Sequence, residues 1–136
     1  MIGPLDHVGI AVRHLEAALA RYRRLGLAPE AIEDIPAMGV RLAFLAAGPV
    51  RLELLEPTRP DAALGRFLES RGEGLHHVAL RTPDILLEIR RLRDEGFDLI
   101  DLEPRTGALG RKVAFVHPRS VQGVLLELVE VPDGPS

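Results

Sequence analysis

The 136-residue chain has 17 basic and 20 acidic residues, which gives a net charge of −3 with histidine neutral. That balance excludes the strongly basic surface of a nucleic-acid-binding protein, and we expect neither nucleic acid nor a membrane as a partner. The absence of cysteine excludes disulfides, thiolate metal sites and a cysteine nucleophile. The chain is 46% hydrophobic, yet it shows neither a signal-peptide pattern nor an apolar run of about 18–20 residues. We therefore expect a cytoplasmic protein with a hydrophobic core.

The first half of the chain opens with two elements that recur 70 residues later. Residues 5–12 and 75–82 share alternating apolar positions around a histidine, which predicts two strands. Each strand is followed by apolar residues at spacings of three and four, which predicts a helix with one apolar face. The helices are expected to end at Gly26 and Gly96, in the left-handed conformation that often closes a helix. Asp84 is the predicted N-cap of the second helix.

The match between the two halves continues downstream of the predicted helices. Residues 40–44 resemble 111–115, and residues 50–56 resemble 124–130, so each pair is predicted to form equivalent strands. Each half therefore has the order strand, helix and then about three strands. This pattern predicts a duplicated βαβββ module and an α+β fold.

The repeat also sets the predicted domain organisation. Residues 1–136 are expected to form a single domain. Within it, residues 4–56 form the first module and residues 75–131 the second. Residues 57–74 between them form a linker, whose apolar residues at helical spacing predict a short helix.

Each module is predicted to carry one histidine and one glutamate on the strand face that points away from its helix, because side chains alternate along a strand. These are His7 with Glu53, and His77 with Glu127. An ionised carboxylate on an apolar strand is costly to bury unless it is paired or binds a metal. As a His₂Glu₂ set, the four residues would suit Co²⁺, Mn²⁺, Ni²⁺ or Fe²⁺, with Zn²⁺ also acceptable. Taken singly, each could instead be a core histidine or an edge-strand glutamate.

The remaining histidines and two further glutamates are expected to play lesser roles. Alternation puts His76 on the face opposite to His77, which favours a structural role or an indirect one beside the metal. His14, at a helix start, and His117, in a turn, are expected to be exposed or to stabilise the turn. Glu56 and Glu130 each follow a candidate ligand by three residues and are expected to be solvated.

Five segments carry a resemblance to a known family: residues 5–12, 53–57, 74–79, 107–118 and 123–128. Over nearly its full length the chain resembles the vicinal oxygen chelate (glyoxalase/bleomycin resistance/dioxygenase) superfamily and, within it, the methylmalonyl-CoA epimerases. The resemblance implies a glyoxalase-like fold, in which the two modules form a cupped mixed sheet around a metal site. It also implies one divalent ion, Co²⁺ in the first place and Mn²⁺, Ni²⁺, Fe²⁺ or Zn²⁺ otherwise. The implied metal ligands are His7, Glu53, His77 and Glu127.

The same resemblance implies a reaction, the interconversion of (2R)- and (2S)-methylmalonyl-CoA by 1,1-proton transfer through a metal-stabilised enolate. The expected partners are therefore an acyl-CoA substrate and a second copy of the chain in a homodimer. Removing a proton from one face of a carbon and returning it to the other requires two acid/base groups. Some of these epimerases have a glutamate base where this chain has Leu42, so we expect Glu127 and Glu53 to be the catalytic residues. The residues expected to bind the CoA phosphates are Arg111, Lys112 and Arg119.

Three alternatives share the fold. A glyoxalase I-like lactoylglutathione lyase can use the same four ligands on a glutathione hemithioacetal. An extradiol dioxygenase typically uses two histidines and one glutamate, so the fourth ligand disfavours it. A metal-free small-molecule-binding protein should lack the ligands in one or both modules, and finding all four disfavours it as well.

Overall fold

The computed structural model describes residues 2–132 of the chain. Its helices and strands, in chain order, are β1 (Leu5–Ala11), α1 (Leu15–Arg24), β2 (Pro29–Ile35), β3 (Val40–Ala47), β4 (Val50–Pro57), α2 (Ala63–Arg71), β5 (Gly74–Thr82), α3 (Ile85–Asp94), β6 (Arg105–Thr106), β7 (Lys112–Val116) and β8 (Leu126–Glu130). Short 3₁₀ turns span Ala108–Gly110 and Pro118–Ser120. Within residues 2–132, no helix combines the length and the hydrophobicity needed to cross a membrane.

The chain divides into two compact units. The first unit is His7–His76, and the second combines the residues up to Asp6 with those from His77 onward. In the first unit the strand order is β2-β3-β4-β1, with β1 parallel to β4 and the other neighbours antiparallel. In the second unit the order is β5-β8-β7-β6, with β5 parallel to β8 and the other neighbours antiparallel. Mixed strand pairing and three helices confirm the predicted α+β class with its two βαβββ sequences.

Helix α1 packs against one face of the strands of the first unit. Its buried cluster consists of Val12, Leu15, Leu19, Ala43, Leu45 and Leu54. Each large aliphatic side chain buried in this way contributes about 1.5–3 kcal/mol to stability. Because side chains alternate along a strand, Phe44 and Glu53 lie on the face that does not contact α1. Packing of the helix therefore decides which side of the sheet carries the candidate ligand.

Helix α3 packs against the strands of the second unit in the equivalent way. Its buried cluster consists of Ile85, Ile89, Leu92, Ala114, Val116 and Leu128. Phe115 and Glu127, which alternate with members of this cluster, lie on the face away from the helix. The two units thus repeat the same division into a helix face and a polar-ligand face.

The predicted helix ends are confirmed. Gly26 and Gly96 have φ values of 95° and 90°, a left-handed conformation that glycine adopts without steric cost. The side chain of Asp84 caps α3, because its Oδ1 atom accepts a hydrogen bond from the Leu87 backbone N–H at 3.1 Å. Helix α2 occupies the segment where a linker helix was expected.

The expectation that Glu56 and Glu130 are solvated is wrong. Glu56 Oε2 accepts a hydrogen bond from the Leu15 backbone N–H at 2.8 Å, and Glu130 Oε2 accepts one from the Ile85 backbone N–H at 3.1 Å. Both donors are first-turn N–H groups, which have no acceptor within their own helix. Each glutamate therefore satisfies the start of its unit's helix from the end of a neighbouring strand, and its negative charge also matches the helix dipole.

We expect replacement of Glu130 by alanine to lower the free energy of unfolding by about 1 kcal/mol, the typical cost of losing a side-chain acceptor at a helix start. Urea denaturation followed by circular dichroism measures the change. Glu69→Ala is the matched control, because Glu69 is exposed on α2 and accepts no such bond. Equal stability of the Glu130→Ala variant and the wild type would show that solvent replaces the cap without cost.

The last strand begins later than predicted. The strand pattern was expected from residue 124, but β8 starts at Leu126. Gln122 and Gly123 have φ values of 50° and 91°, which turn the backbone and interrupt the extended conformation. Val124 is consequently 42% exposed and does not pack with the helix.

Candidate metal centre

In the first unit, His7 of β1 and Glu53 of β4 form a buried pair. The two strands are adjacent and parallel, and the Cα partner of Glu53 is Gly9, two residues after His7. This register puts both side chains on the face away from α1. His7 Nε2 lies 3.5 Å from Glu53 Oε1, and the two residues are 3% and 4% exposed. The ring of Phe44 contacts the imidazole edge to face, with the centroids 5.4 Å apart.

In the second unit, His77 of β5 and Glu127 of β8 form the equivalent pair. The Cα partner of Glu127 is Ala79, again two residues after the histidine. His77 Nε2 lies 3.3 Å from Glu127 Oε1, and the two residues are 4% and 7% exposed. The ring of Phe115 contacts the His77 imidazole edge to face at 5.8 Å. The structure therefore brings each histidine to the glutamate of its own repeat.

The equivalence of the two pairs extends to the strand beside each glutamate. Phe44 is the Cα partner of Glu53, and Phe115 is the Cα partner of Glu127. In both units an aromatic ring from the antiparallel neighbour therefore covers the histidine and restricts its rotation. Oriented imidazoles are a common requirement of metal sites, because the ligand nitrogen must point at the ion.

The donor atoms and their separations fit a divalent cation. Metal–nitrogen and metal–oxygen bonds of about 2.0–2.2 Å separate neighbouring ligand atoms by about 2.8–3.1 Å in octahedral geometry and about 3.3–3.6 Å in tetrahedral geometry. The two observed separations, 3.5 Å and 3.3 Å, fall in the tetrahedral range. Both exceed the usual hydrogen-bond length of about 2.7–3.2 Å. His7, His77 and Glu127 are buried side chains with atoms able to hold a metal ion, and the site chemistry supports a divalent metal.

Leu42 lies on the same face of the first unit as Glu53. Its Cα partner on β4 is Leu55, two residues from Glu53, and its side chain is 1% exposed. An aliphatic side chain can neither accept nor donate a proton. At the position where some of the epimerases have a glutamate base, this chain therefore has a buried side chain that cannot act as an acid or a base.

Arg111, expected to bind the CoA phosphates, contacts the Asp6 carboxylate, and its role toward CoA stays a prediction. Asp6 Oδ1 accepts hydrogen bonds from Arg111 Nη1 at 3.0 Å and from Arg81 Nε at 2.8 Å, and Asp6 Oδ2 accepts one from Arg111 Nη2 at 2.8 Å. Asp6 is 1% exposed. Sequence reasoning missed this cluster, since its members are separated by 75 and 105 residues in the chain. The one signal in the sequence is a charged residue inside the apolar pattern of β1.

The other two expected CoA ligands lie at the surface. Lys112 is exposed at the start of β7. Arg119 lies in the 3₁₀ turn and pairs with Asp98, and its side chain is 70% exposed. Both roles stay predictions.

The chain is similar over most of its length to known proteins of one superfamily. Residues 6–115 match the model of the Glyoxalase/Bleomycin resistance protein/Dioxygenase superfamily. The chain is 40% identical to an ethylmalonyl-CoA/methylmalonyl-CoA epimerase of Cereibacter sphaeroides, over 96% of this chain and 100% of that protein. It is 35% identical to the mitochondrial methylmalonyl-CoA epimerase of Bos taurus, over 93% of this chain and 74% of that protein.

Solved structures give the same result for the fold. A variant of the Streptomyces coelicolor methylmalonyl-CoA epimerase, in complex with 2-nitronate-propionyl-CoA, superposes with a TM-score of 0.94 at 38% identity. The similarity covers 99% of this chain and 100% of that chain.

Proposed function

Since the chain belongs to the Glyoxalase/Bleomycin resistance protein/Dioxygenase superfamily, we propose that it interconverts the (2R) and (2S) epimers of methylmalonyl-CoA. The observation that carries this proposal is the buried His–Glu pair in each unit, in a chain similar over nearly its whole length to methylmalonyl-CoA epimerases. Two relatives are known by that activity, and a related structure holds a CoA thioester analogue. The substrate proposed for this chain is accordingly an acyl-CoA.

We propose that both pairs bind a single divalent ion, with His7, Glu53, His77 and Glu127 as its ligands. Equivalent donors, equivalent burial and similar separations in the two units support this assignment. Two imidazoles and two carboxylates suit Co²⁺ first, and they also accept Mn²⁺, Ni²⁺, Fe²⁺ or Zn²⁺. When bound, the ion would supply a Lewis acid for the negative charge that develops on the substrate as the α-proton leaves.

The proposed acid/base groups are Glu127 and Glu53. An α-proton beside a thioester is too weakly acidic for a carboxylate in water, so the base must act where the developing charge is stabilised. Epimerisation also needs one group to remove the proton and another to deliver one to the opposite face of the carbon. The two buried glutamates are the carboxylates that alternate onto the ligand faces beside the histidines. One glutamate, ionised at the start, would accept the α-proton. The other, protonated at the start, would donate its proton to the opposite face of the α-carbon.

Several finer features complete the proposal. Residues 1–136 are proposed to form one domain, and a homodimer in the cytoplasm is proposed because members of this superfamily often pair. The charge balance supports no role for nucleic acid. Arg111, Lys112 and Arg119 are the cations proposed to contact the CoA phosphates.

Proton NMR of methylmalonyl-CoA in D₂O tests the proposed function. The purified protein is expected to remove the α-proton signal, to lose this ability after exhaustive chelation, and to recover it when Co²⁺ is added. The chelated protein incubated with Mg²⁺, which binds poorly to imidazole, is the matched control. The metal content of each sample is measured in parallel.

The possible outcomes test the metal site and the epimerase activity separately. If the α-proton signal disappears at the same rate before and after chelation, the metal proposal is contradicted. Absence of exchange by a protein that binds one ion per chain would contradict the epimerase proposal. In that case the function would move to another reaction of the superfamily, such as that of a lactoylglutathione lyase.

A further inference from the structure

In the first unit an arginine lies over the phenylalanine ring that contacts the candidate ligand His7. The guanidinium carbon of Arg51 is 5.7 Å from the centroid of the Phe44 ring, within the distance of about 6 Å that defines a cation–π interaction. The same ring contacts the His7 imidazole, with the centroids 5.4 Å apart. Arg51 precedes Glu53 by two residues on β4 and is the Cα partner of His7, so its side chain lies on the face that carries the candidate ligands.

The second unit has the same pair of contacts. The guanidinium carbon of Arg105 is 5.7 Å from the centroid of the Phe115 ring, and that ring contacts the His77 imidazole at 5.8 Å. Arg105 is the Cα partner of Val113, which precedes Phe115 by two residues on β7. Arg105 therefore also lies on the face that carries the candidate ligands. In each unit one aromatic ring contacts both a guanidinium group and a candidate ligand imidazole.

The two arginines come from positions that the sequence repeat does not relate. Residues 50–56 correspond to residues 124–130, which makes Leu125 the counterpart of Arg51. Arg105 lies instead on β6, the strand that pairs with β7 on the side away from β8. Duplication of the module by itself therefore does not explain why both phenylalanine rings have an arginine over them.

A carboxylate fixes each of the two arginines. Arg51 Nε lies 3.4 Å from Glu30 Oε1. Arg105 Nε lies 3.0 Å from Asp101 Oδ1, and Asp101 Oδ2 accepts a hydrogen bond from the Phe115 backbone N–H at 2.9 Å. Asp101 thus binds both the cation and the backbone of the residue whose ring the cation covers. Each arginine–carboxylate pair has no net charge, so it adds little repulsion toward a metal cation.

We infer that Arg51 and Arg105 are positioning residues, which fix the two phenylalanine rings and thereby orient His7 and His77 for metal binding. This inference rests on the metal site of the proposed function. An imidazole that can rotate loses this freedom when it binds an ion, and a ring fixed beside it removes part of that cost beforehand. Arginine suits the role because its planar guanidinium group stacks on an aromatic face while its N–H groups pair with a carboxylate.

The sign of the effect on metal affinity separates positioning from an effect of charge. Replacing Arg51 with glutamine removes a positive charge, which by itself would strengthen the binding of a nearby divalent cation. Loss of positioning weakens the binding instead. We expect Arg51→Gln to bind Co²⁺ about 2- to 5-fold more weakly than the wild type, the fold-change that corresponds to a cation–π interaction at a partly exposed site. Arg105→Gln should have an effect of similar size.

Competition titration against a chromophoric chelator measures the Co²⁺ dissociation constants. The wild type and each variant are first made metal-free and are then titrated under identical conditions. Arg41→Gln is the matched control for the loss of charge. Arg41 belongs to the same unit as Arg51, pairs with Glu16, and has a side chain that is 32% exposed, against 34% for Arg51. This control should leave the Co²⁺ dissociation constant unchanged.

A second control removes the same kind of stack from a histidine that is not a proposed ligand. The guanidinium carbon of Arg71 is 5.8 Å from the centroid of the Phe67 ring, and this ring contacts the His76 imidazole at 4.8 Å. Alternation along β5 puts His76 on the face opposite to His77. Arg71→Gln should therefore also leave the Co²⁺ dissociation constant unchanged.

A further measurement reports the orientation of the imidazole without any metal. In the metal-free protein, the NMR signals of the His7 ring protons depend on where the Phe44 ring lies, because the ring current of an aromatic side chain shifts nearby protons. Arg51→Gln is expected to shift the His7 signals, whereas Arg41→Gln is expected to leave them in place. Arg51→Lys should give a smaller shift, since an ammonium group can also lie over the ring.

Two results would overturn the inference. One is Co²⁺ binding by Arg51→Gln and Arg105→Gln that is as tight as in the wild type or tighter. The other is an equal weakening of Co²⁺ binding in the two control variants, which would show that the stacks at the candidate ligands have no special effect. Failure of the proposed metal site looks different, because the wild type itself would then bind no Co²⁺ while the His7 signals still distinguished the variants. Failure of the epimerase proposal would appear only in α-proton exchange, on which none of these measurements depends.

Discussion

Replacing Glu127 with glutamine is expected to abolish α-proton exchange in methylmalonyl-CoA while part of the bound metal is retained. Glutamine keeps the shape of the side chain and one oxygen donor, and His77 stays 3.3 Å from that position as a neighbouring ligand. The amide cannot accept the α-proton, so the loss should reach the value of a general base, about 10²- to 10⁴-fold. The same replacement of Glu53 is expected to have the same effect.

Two measurements are needed to interpret the effect of the Glu127→Gln replacement. The exchange rate in D₂O reports the chemistry, and the visible absorption of bound Co²⁺ reports the ligand environment. Glu130→Gln is the matched control, since Glu130 lies three residues further along β8 and contacts the start of α3. The control should keep its exchange rate. Full activity in Glu127→Gln would contradict the assignment of Glu127 as an acid/base group, whatever its metal content.

The repeat made the fold and both His–Glu pairs predictable from sequence. Alternation along β1 and β5 requires only that one face be apolar and packed against a helix, and the clusters around Leu15 and Ile85 confirm that face. Once the helix side is fixed, His7 and His77 must lie on the other side. Register between neighbouring strands then follows from the hydrophobic pattern, because a slip by one residue would bury the wrong face.

The contacts of Glu56, Glu130 and Asp6 could not be predicted from the sequence, and the physical reason is the same for all three. Glu56 and Glu130 were expected in solvent, yet each bonds to the first turn of a helix that starts 41 or 45 residues earlier in the chain. Strand patterns give the face of a side chain but not which helix terminus lies beside the strand's end. The Asp6 cluster eluded prediction for a similar reason, since its contacts depend on side-chain reach between distant segments and follow no period.

Replacing Asp6 with asparagine is expected to destabilise the protein by about 3 kcal/mol, at the lower end of the cost of breaking a buried ion pair. The lower end applies because the Arg81 side chain is 37% exposed and solvent can screen its charge. Arg111 is 19% exposed and would lose the acceptor for both of its terminal nitrogens. In a chain of 136 residues this loss should lower the melting temperature by roughly 10 °C.

The effect of Asp6→Asn can be assigned to burial by comparison with an exposed ion pair. Asp61 pairs with Arg59 at 3.3 Å, but these side chains are 80% and 47% exposed, so Asp61→Asn should cost less than about 1 kcal/mol. Urea denaturation of both variants gives the two free energies. If Asp6→Asn is no less stable than Asp61→Asn, the guanidinium groups must be solvated in the native state. A large loss in Asp6→Asn alone would instead indicate that both arginines are desolvated in the native state and depend on Asp6 for their charge compensation.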